Sequence, residues 1–244
     1  AIKTINDSGE NDVEQAVSTD RLLIAFSELR LKLAEHMKLD DYGRTTIRNI
    51  YFDTDTYRLI RHSLEKPVYK EKLRVRSYQP AGPDDPVFVE LKKKYKSVVY
   101  KRRLVLPEAQ VMKCFEHGKP LPIHSQIGEE IAYFWDYYET LHPTVFLTYE
   151  REAYYALDGS DFRVTFDENI LYREEDISLG SKIYGTPILG ENQTLMEIKT
   201  SGGIPLWMSE TLTKNTLFKT SFSKYGTAYQ QMMDEKVQRG VQYA

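Results

Sequence analysis

The chain has a single cysteine, Cys114, among its 244 residues. One thiol excludes an internal disulfide framework and any zinc site built from several cysteines. No apolar run is long enough to span a bilayer as a helix, and the N-terminus has no basic segment followed by an apolar stretch, as a secretory signal would. These absences predict a soluble, cytoplasmic protein.

The motifs of several common enzyme classes are also missing. The sequence contains no Walker A motif, no Rossmann glycine pattern and no HExxH metal motif. Its five histidines are scattered and most fall in or beside predicted loops, so we interpret them as surface residues. Any phosphate-binding or catalytic site must therefore be built from other side chains.

What the chain does have is positive charge collected in one region. The formal net charge is −3, yet the stretch from Lys72 to Arg103 holds ten lysines and arginines against three acids. Most of the ten lie on predicted strands. Cations held close together on rigid strands raise the local concentration of anions and orient phosphate groups, so this region predicts a polyanion site.

Hydrophobic periodicity predicts one α+β domain over residues 1–244, with residues 1–11 loose. A helical period runs from Leu22 to Met37, and a period of two begins near Arg44. Short turns between the strands favour antiparallel neighbours and a closed or nearly closed barrel. The predicted strands are 12–17, 45–53, 69–78, 87–94, 98–106, 144–155, 162–167 and 194–200, and the later helices are 107–116, 125–140, 206–213 and 223–236.

Alternation along the strands sorts charged and apolar side chains onto opposite faces. Arg74 and Arg76 share one face, while Leu73 and Val75 share the other. The same separation recurs on later strands. The charged sets are Glu90 with Lys92 and Lys94, Lys101 with Arg103, Tyr149 with Arg151, Arg163 with Thr165 and Asp167, and Glu197 with Lys199.

Two arrangements fit this alternation. In an ordinary sheet the charges would be solvated outside, which is the usual place for them. In an inverted barrel they would line the lumen. The second arrangement is favoured because the charged rows are mostly cationic and because several amphipathic helices need an apolar outer surface to cover. Two unit charges about 7 Å apart repel by about 2.4 kcal/mol at an effective dielectric near 20, so such a lumen predicts a bound polyanion.

Five blocks of the sequence resemble the bacterial VTC (vacuolar transporter chaperone) domain, over roughly residues 18–230. The blocks are IRNIYFDT, RLIRHSLEKPVYKEKLRVRSY, VFVELKKKYKSVVYKRR, LMEIKTSGGIPLW and TSFSKYGTAY. The resemblance implies a triphosphate tunnel metalloenzyme, an eight-stranded antiparallel barrel with a basic lumen and helices packed outside. It further implies an enzyme that makes inorganic polyphosphate from ATP with Mn²⁺ or Mg²⁺.

The resemblance also implies roles for individual residues. Glu197 matches the metal-holding glutamate, and Glu14 is a second expected metal ligand. The implied phosphate-binding residues are Arg74, Arg76, Lys92, Lys101, Arg151, Arg163, Lys199 and Lys224. Lys94 and Arg103 align with the lumen cations, and Lys219 and Ser223 accompany Lys224 in a basic segment at the tunnel mouth.

One position departs from the superfamily pattern. The first strand of such proteins reads Glu-x-Glu-x-Lys, and the nearest stretch here is Asp12-Val13-Glu14-Gln15-Ala16, with alanine in place of the lysine. If this stretch is the first strand, the departure predicts impaired activity.

Three functions therefore stay open: a polymerase, a metal-dependent triphosphatase on the same fold, and an inactive polyphosphate-binding module. The expected ligands are ATP and polyphosphate. We expect no nucleic acid, because stacking surfaces are not evident, and no direct membrane insertion.

Overall fold

The structure is a computed structural model that describes residues 4–6, 11–17, 19–96, 98–119, 121–191 and 193–240; up to residue 27 it describes the backbone alone. The described ranges contain eleven strands and six helices. The strands are β1 (Thr4–Asn6), β2 (Asn11–Val17), β3 (Met37–Leu39), β4 (Thr45–Asp53), β5 (Tyr69–Ser77), β6 (Pro86–Tyr95), β7 (Val98–Pro107), β8 (His142–Ala156), β9 (Arg163–Arg173), β10 (Thr186–Pro187) and β11 (Thr194–Thr200). The helices are α1 (Thr19–His36), α2 (Arg58–Leu64), α3 (Glu108–Glu116), α4 (Gln126–Tyr138), α5 (Leu206–Lys214) and α6 (Lys224–Gln238).

All the strands belong to one sheet, in the order β10-β9-β11-β2-β1-β7-β6-β5-β4-β8-β3, and β9 also pairs with β8. Every pairing is antiparallel except that of β1 with β7, which is parallel. The predicted α+β class with an antiparallel sheet is confirmed. The predicted count of eight strands is too low, because β1, β3 and β10 are only two or three residues long and carry no readable alternation.

The N-terminal expectations are met in part. Residues 11–17 form β2, as predicted for 12–17. Thr4–Asn6 form β1, within the segment expected to be loose. Residues 1–3 and 7–10 of that segment lie outside the described residues.

One face of β4 to β7 packs against α3 and α4. Leu73, Val75, Val89 and Leu91 are completely buried there, in a cluster with α3 and α4 side chains such as Phe115, Phe134 and Trp135. Helix α4 begins where Ser125 Oγ accepts a hydrogen bond from the Gly128 amide, the usual role of an N-cap serine. The apolar row of each strand thus faces a helix.

A second outer cluster covers β9 and β11. Phe162, Val164 and Ile198 pack against Leu33 of α1 and Met208 of α5. Because the apolar rows face the helices, the charged rows lie on the opposite face, as the inverted arrangement predicts. We call this opposite face of β4 to β9 and β11 the charged face.

Helix α6 covers one end of the charged face. Its residues Tyr225, Ala228 and Met232 belong to a buried cluster with apolar residues of that face, among them Leu147 and Leu195. The Tyr225 ring stacks on the Tyr51 ring of β4 at a centroid distance of 4.8 Å. Within the described part of the chain, no helix is long and apolar enough to cross a bilayer.

Candidate functional site

Glu90 is the centre of the first cluster on the charged face. It lies opposite Arg74 on β5 and Arg103 on β7 in the sheet register, and only 1% of its side chain is exposed. Its carboxylate accepts hydrogen bonds from Arg74 Nε at 2.6 Å and Arg103 Nε at 2.8 Å, and Lys101 Nζ lies 2.9 Å away. Arg76 Nε is 4.0 Å from the same carboxylate. Four cations therefore converge on one buried acid.

A second cluster surrounds Asp167 and Glu197, on the neighbouring strands β9 and β11. Arg151 donates to both oxygens of Asp167, at 2.6 and 2.7 Å, and its Nη2 lies 3.6 Å from Glu197. Lys224, the first residue of α6, is 2.7 Å from Asp167, and Lys199 is 2.9 Å from Glu197. Helix α6 therefore contributes a cation to the sheet.

Tyr149 of β8 joins the two clusters. Its hydroxyl accepts a hydrogen bond from Arg76 Nη2 at 3.0 Å. The Arg151 guanidinium and the Lys224 ammonium lie over its ring, 5.2 and 4.8 Å from the centroid. Cations over an aromatic face are held electrostatically, so Tyr149 helps to fix three of the positive side chains. Asn49 adds to this by accepting from Arg76 Nε at 2.8 Å.

The three carboxylates stay ionised. Burial by itself raises the pKa of Glu90, but Arg74, Arg76 and Lys101 outweigh it and bring the pKa well below the ordinary glutamate value. The pKa of Asp167 and that of Glu197 are lowered against burial in the same way, by Lys224 and Arg151 for Asp167 and by Lys199 and Arg151 for Glu197. These acids therefore act as fixed counter-charges at neutral pH, and proton transfer through them is disfavoured.

Acid should destabilise the fold through these groups. Their folded-state pKa values lie below the unfolded ones, so their stabilisation is fully present above the unfolded pKa and is lost as the pH falls from about 5 toward the folded values. We expect the free energy of unfolding, measured with urea, to fall by about 2 kcal/mol or more between pH 7 and pH 3. This fall should be smaller in Asp167→Asn than in wild type. In Glu129→Gln, a control at an exposed residue, it should be as large as in wild type. If the free energy of unfolding of Asp167→Asn fell as much as that of wild type, this assignment would be contradicted.

The structure brings most of the sequence-predicted cations together. At least one of the three carboxylates is contacted by each of Arg74, Arg76, Lys101, Arg103, Arg151, Lys199 and Lys224. Ser223 is the N-cap of α6, where its hydroxyl accepts from the Gly226 amide and from Lys72 Nζ at 3.1 Å.

Four other predicted cations lie on the charged face or in the loop before α6. Lys92 is exposed, opposite Lys72 and Lys101, and Lys94 lies opposite Lys70. Arg163 lies opposite Lys199, with its guanidinium over the Tyr155 ring at 5.5 Å. Lys219 is exposed in the loop before α6.

Sequence reasoning missed several residues of the site. Asp167 was seen only as part of a charged row, although it binds both Arg151 and Lys224. Tyr149 was likewise seen only in the row of Arg151, and Tyr51 and Asn49 were not singled out. All three accept hydrogen bonds from Arg74 or Arg76. On β4, Asn49 and Tyr51 alternate with Ile50 and Phe52, which belong to the outer apolar cluster, and this alternation was the available signal.

The predicted metal ligands meet in the sheet register. Glu14 of β2 lies directly opposite Glu197 of β11, and Asp12 lies opposite Lys199. Directly opposite residues share a face and have Cβ atoms about 5 Å apart. Carboxylates are among the ligands that Mg²⁺ and Mn²⁺ prefer, so this backbone register is compatible with the expected pairing of Glu14 and Glu197 at a metal. Among the residues described with side chains, no group of three or more His, Cys, Asp or Glu is placed to hold a metal.

In the same register, residues 12–16 lie on β2 beside β11, and Ala16 lies opposite Leu195. The match of Ala16 to the expected lysine stays a prediction. The side chains of Glu14 and Ala16 lie outside the described part of the structure.

Two solved structures share this fold at low sequence identity. A candidate adenylate cyclase from Bacillus halodurans aligns with a TM-score of 0.52 and 13% identity, covering 88% of this chain and 95% of that one. A candidate adenylyl cyclase from Hippeastrum, described as having a dominant triphosphatase activity, aligns with a TM-score of 0.53 and 14% identity, covering 88% and 92%. No curated protein matches the sequence.

A match to a model of a protein family shows which family this chain belongs to. Residues 23–233 match the VTC domain, which is most of the chain. The chain belongs to the VTC domain family, and the resemblance drawn from the five sequence blocks is confirmed.

Proposed function

We propose that this protein is a metal-dependent polyphosphate polymerase that transfers the terminal phosphate of ATP to a growing polyphosphate chain. The VTC domain match supports a function on polyphosphate or triphosphate. The observation that carries the proposal is the site itself, in which seven cations surround three ionised carboxylates on one sheet face. Such a surplus of fixed positive charge suits a ligand with many negative oxygens.

We further propose that the sheet encloses this site as a tunnel. The pairing of β8 with β9 supports this, because the pairs β9-β11-β2-β1-β7-β6-β5-β4-β8 then return to β9. The charged face would be the inner wall and the helices on the apolar face would lie outside. A dry, enclosed wall strengthens each phosphate contact, since the effective dielectric is lower than in water.

In this proposal the protein works by positioning and charge stabilisation. Arg74, Arg76, Lys101 and Arg103 bind phosphate oxygens on one side, and Arg151, Lys199 and Lys224 bind them on the other. Glu90 and Asp167 hold these cations in fixed orientations, which lowers the reorganisation needed as charge develops during transfer. The nucleophile is the terminal phosphate of the growing chain, so no Ser, Cys or His nucleophile is required.

A divalent metal is proposed to bind at Glu197 and Glu14. When bound there it would neutralise charge on the phosphate oxygens. Lys199 and Arg151, which contact Glu197, would keep that carboxylate ionised and ready to ligate.

One observation favours a triphosphatase as the second candidate. Chain growth through a tunnel needs both ends open, whereas α6 covers one end of the charged face. The Hippeastrum protein with the same fold is described as having a dominant triphosphatase activity. The alanine at position 16 keeps a binding-only module as the third candidate.

Product analysis separates the three functions. Purified protein would be incubated with ATP and Mn²⁺, with and without a short polyphosphate primer, and the products resolved on a polyacrylamide gel. We expect a polyphosphate ladder that is lost in Glu197→Gln and kept in Glu152→Gln, a control on β8 whose carboxylate accepts from the Tyr154 hydroxyl. Phosphate release without a ladder would instead indicate the triphosphatase, and tight polyphosphate binding without either product would indicate the binding module.

A further inference from the structure

A cavity of about 550 Å³ lies beside the first residues of β5, between α2 and α4. Five aromatic rings line it, those of Tyr69, Tyr133, Phe134, Tyr137 and Tyr138. This cavity is not part of the charged face, since Tyr69 and Glu71 alternate with the residues of that face along β5. Neither the composition nor the strand pattern pointed to it.

Several of these rings are open to solvent. Tyr133 is 70% exposed, Tyr137 is 53% exposed and Tyr69 is 41% exposed. The Arg58 guanidinium lies over the rings of Tyr137 and Tyr138, 5.5 and 5.2 Å from their centroids. Exposed aromatic rings beside a guanidinium form the kind of surface on which nucleobases stack.

One carboxylate in the cavity is rigidly oriented. Tyr69 Oη donates to one oxygen of Glu71 at 2.6 Å, and Tyr138 Oη donates to the other at 2.8 Å. An ionised carboxylate has about four acceptor positions, so Glu71 retains capacity to accept from a further N–H group. An apolar wall with one oriented acceptor is suited to the edge of a base that carries N–H donors.

The cavity adjoins one end of the charged face. Lys70 lines it and stands two residues before Lys72 on β5, which places both on the same strand face about 7 Å apart. Lys72 Nζ donates to Ser223 Oγ, the N-cap of α6, and the next residue, Lys224, contacts Asp167. A row of lysines therefore leads from the cavity into the clusters of charge.

We propose that this cavity binds the base of a nucleoside triphosphate whose phosphates occupy the charged face. This inference rests on the proposed function. The base stacks on the tyrosine rings and an N–H group of the base donates to Glu71. Lys70 and Lys72 meet the phosphates closest to the nucleoside, and Arg74 and Arg76 meet those farther along. The site therefore distinguishes a nucleotide from inorganic triphosphate.

Binding of the two ligands to the same variants tests this inference. Dissociation constants for ATP and for inorganic triphosphate would be measured by calorimetry in EDTA, so that no turnover occurs. We expect wild type to bind ATP more tightly than triphosphate. Tyr137→Leu should weaken ATP binding by about tenfold, the size expected when one base–aromatic contact is removed, and should leave triphosphate binding unchanged. Tyr42→Leu, at a tyrosine that is 85% exposed and does not line the cavity, is the matched control.

The outcomes separate the cavity from the site of phosphate binding. Equal binding of ATP and triphosphate by wild type, or an equal loss of both in Tyr137→Leu, would overturn the nucleobase pocket while leaving a triphosphate site intact. Failure of triphosphate to bind wild type would contradict the proposed function instead. Two results together would support both the cavity and the phosphate site. Arg74→Ala should lose triphosphate binding, and Tyr137→Leu should bind ATP more weakly than Tyr42→Leu does.

Discussion

Glu90→Gln should lower the free energy of unfolding by about 3–5 kcal/mol, the cost of removing one partner from a buried network of charges. The carboxylate is 1% exposed and contacts Arg74, Lys101 and Arg103, with Arg76 at 4.0 Å. A neutral amide leaves their mutual repulsion without a counter-charge. For a chain of this length the midpoint of thermal unfolding should fall by roughly 10 °C.

Inorganic triphosphate should restore much of this loss, because a bound anion supplies the missing negative charge. Thermal unfolding would be followed with and without the ligand, and the upward shift should be larger in Glu90→Gln than in wild type. The matched control is Glu130→Gln, since Glu130 of α4 pairs with Lys93 and Arg102 on the outer face and is 22% exposed. That variant should lose about 1 kcal/mol or less and gain no extra shift. Equal losses in the two variants would show that Glu90 is an ordinary ion-pair partner.

Arg74→Ala should reduce turnover of ATP by about 10²- to 10³-fold, the usual effect of removing a fixed charge that stabilises a transition state. Arg74 is held by Glu90 and by the Tyr51 hydroxyl at 3.4 Å, so its guanidinium is already oriented before substrate arrives. The effect should fall mainly on kcat if Arg74 contacts the transferring phosphate, and on KM if it contacts a phosphate that stays in place.

Arg102→Ala is the control for this prediction. Arg102 lies on β7 between two cations of the site, but its side chain points to the outer face and donates to Glu130. Initial rates of phosphate transfer or release would be compared for both variants. A similar rate in Arg74→Ala and Arg102→Ala would place the reaction away from the charged face.

The strands that carry the site were predictable because alternation is a local property. The predicted ranges 45–53 and 194–200 coincide with β4 and β11, and Arg74 and Arg76 share a face because side chains alternate. Lys93 and Arg102 lie on the opposite face of β6 and β7 from their charged neighbours, and both pair with Glu130 of α4. A local pattern assigns a face, but it does not identify the element that packs there.

Contacts between distant segments were not predictable in this way. Helix α2, seven residues long, and the two-residue β10 have too few residues for a periodic signal. Lys224 reaches Asp167 across 57 positions of the chain, and Tyr138 meets Glu71 across 67. The aromatic cavity forms only when α4 folds against β5, so no stacking surface was evident from the order of residues alone.

The sequence by itself determined the alternation of cations and apolar residues, the family, and the side chains able to bind phosphate. It did so because strand periodicity and motif order are properties of neighbouring residues. Only the tertiary structure decided that Glu90 gathers four cations, that Asp167 joins Arg151 to α6, and that Glu14 lies opposite Glu197. Those are consequences of strand register and helix docking, in which buried charges can be tolerated only where a partner from a remote segment neutralises them.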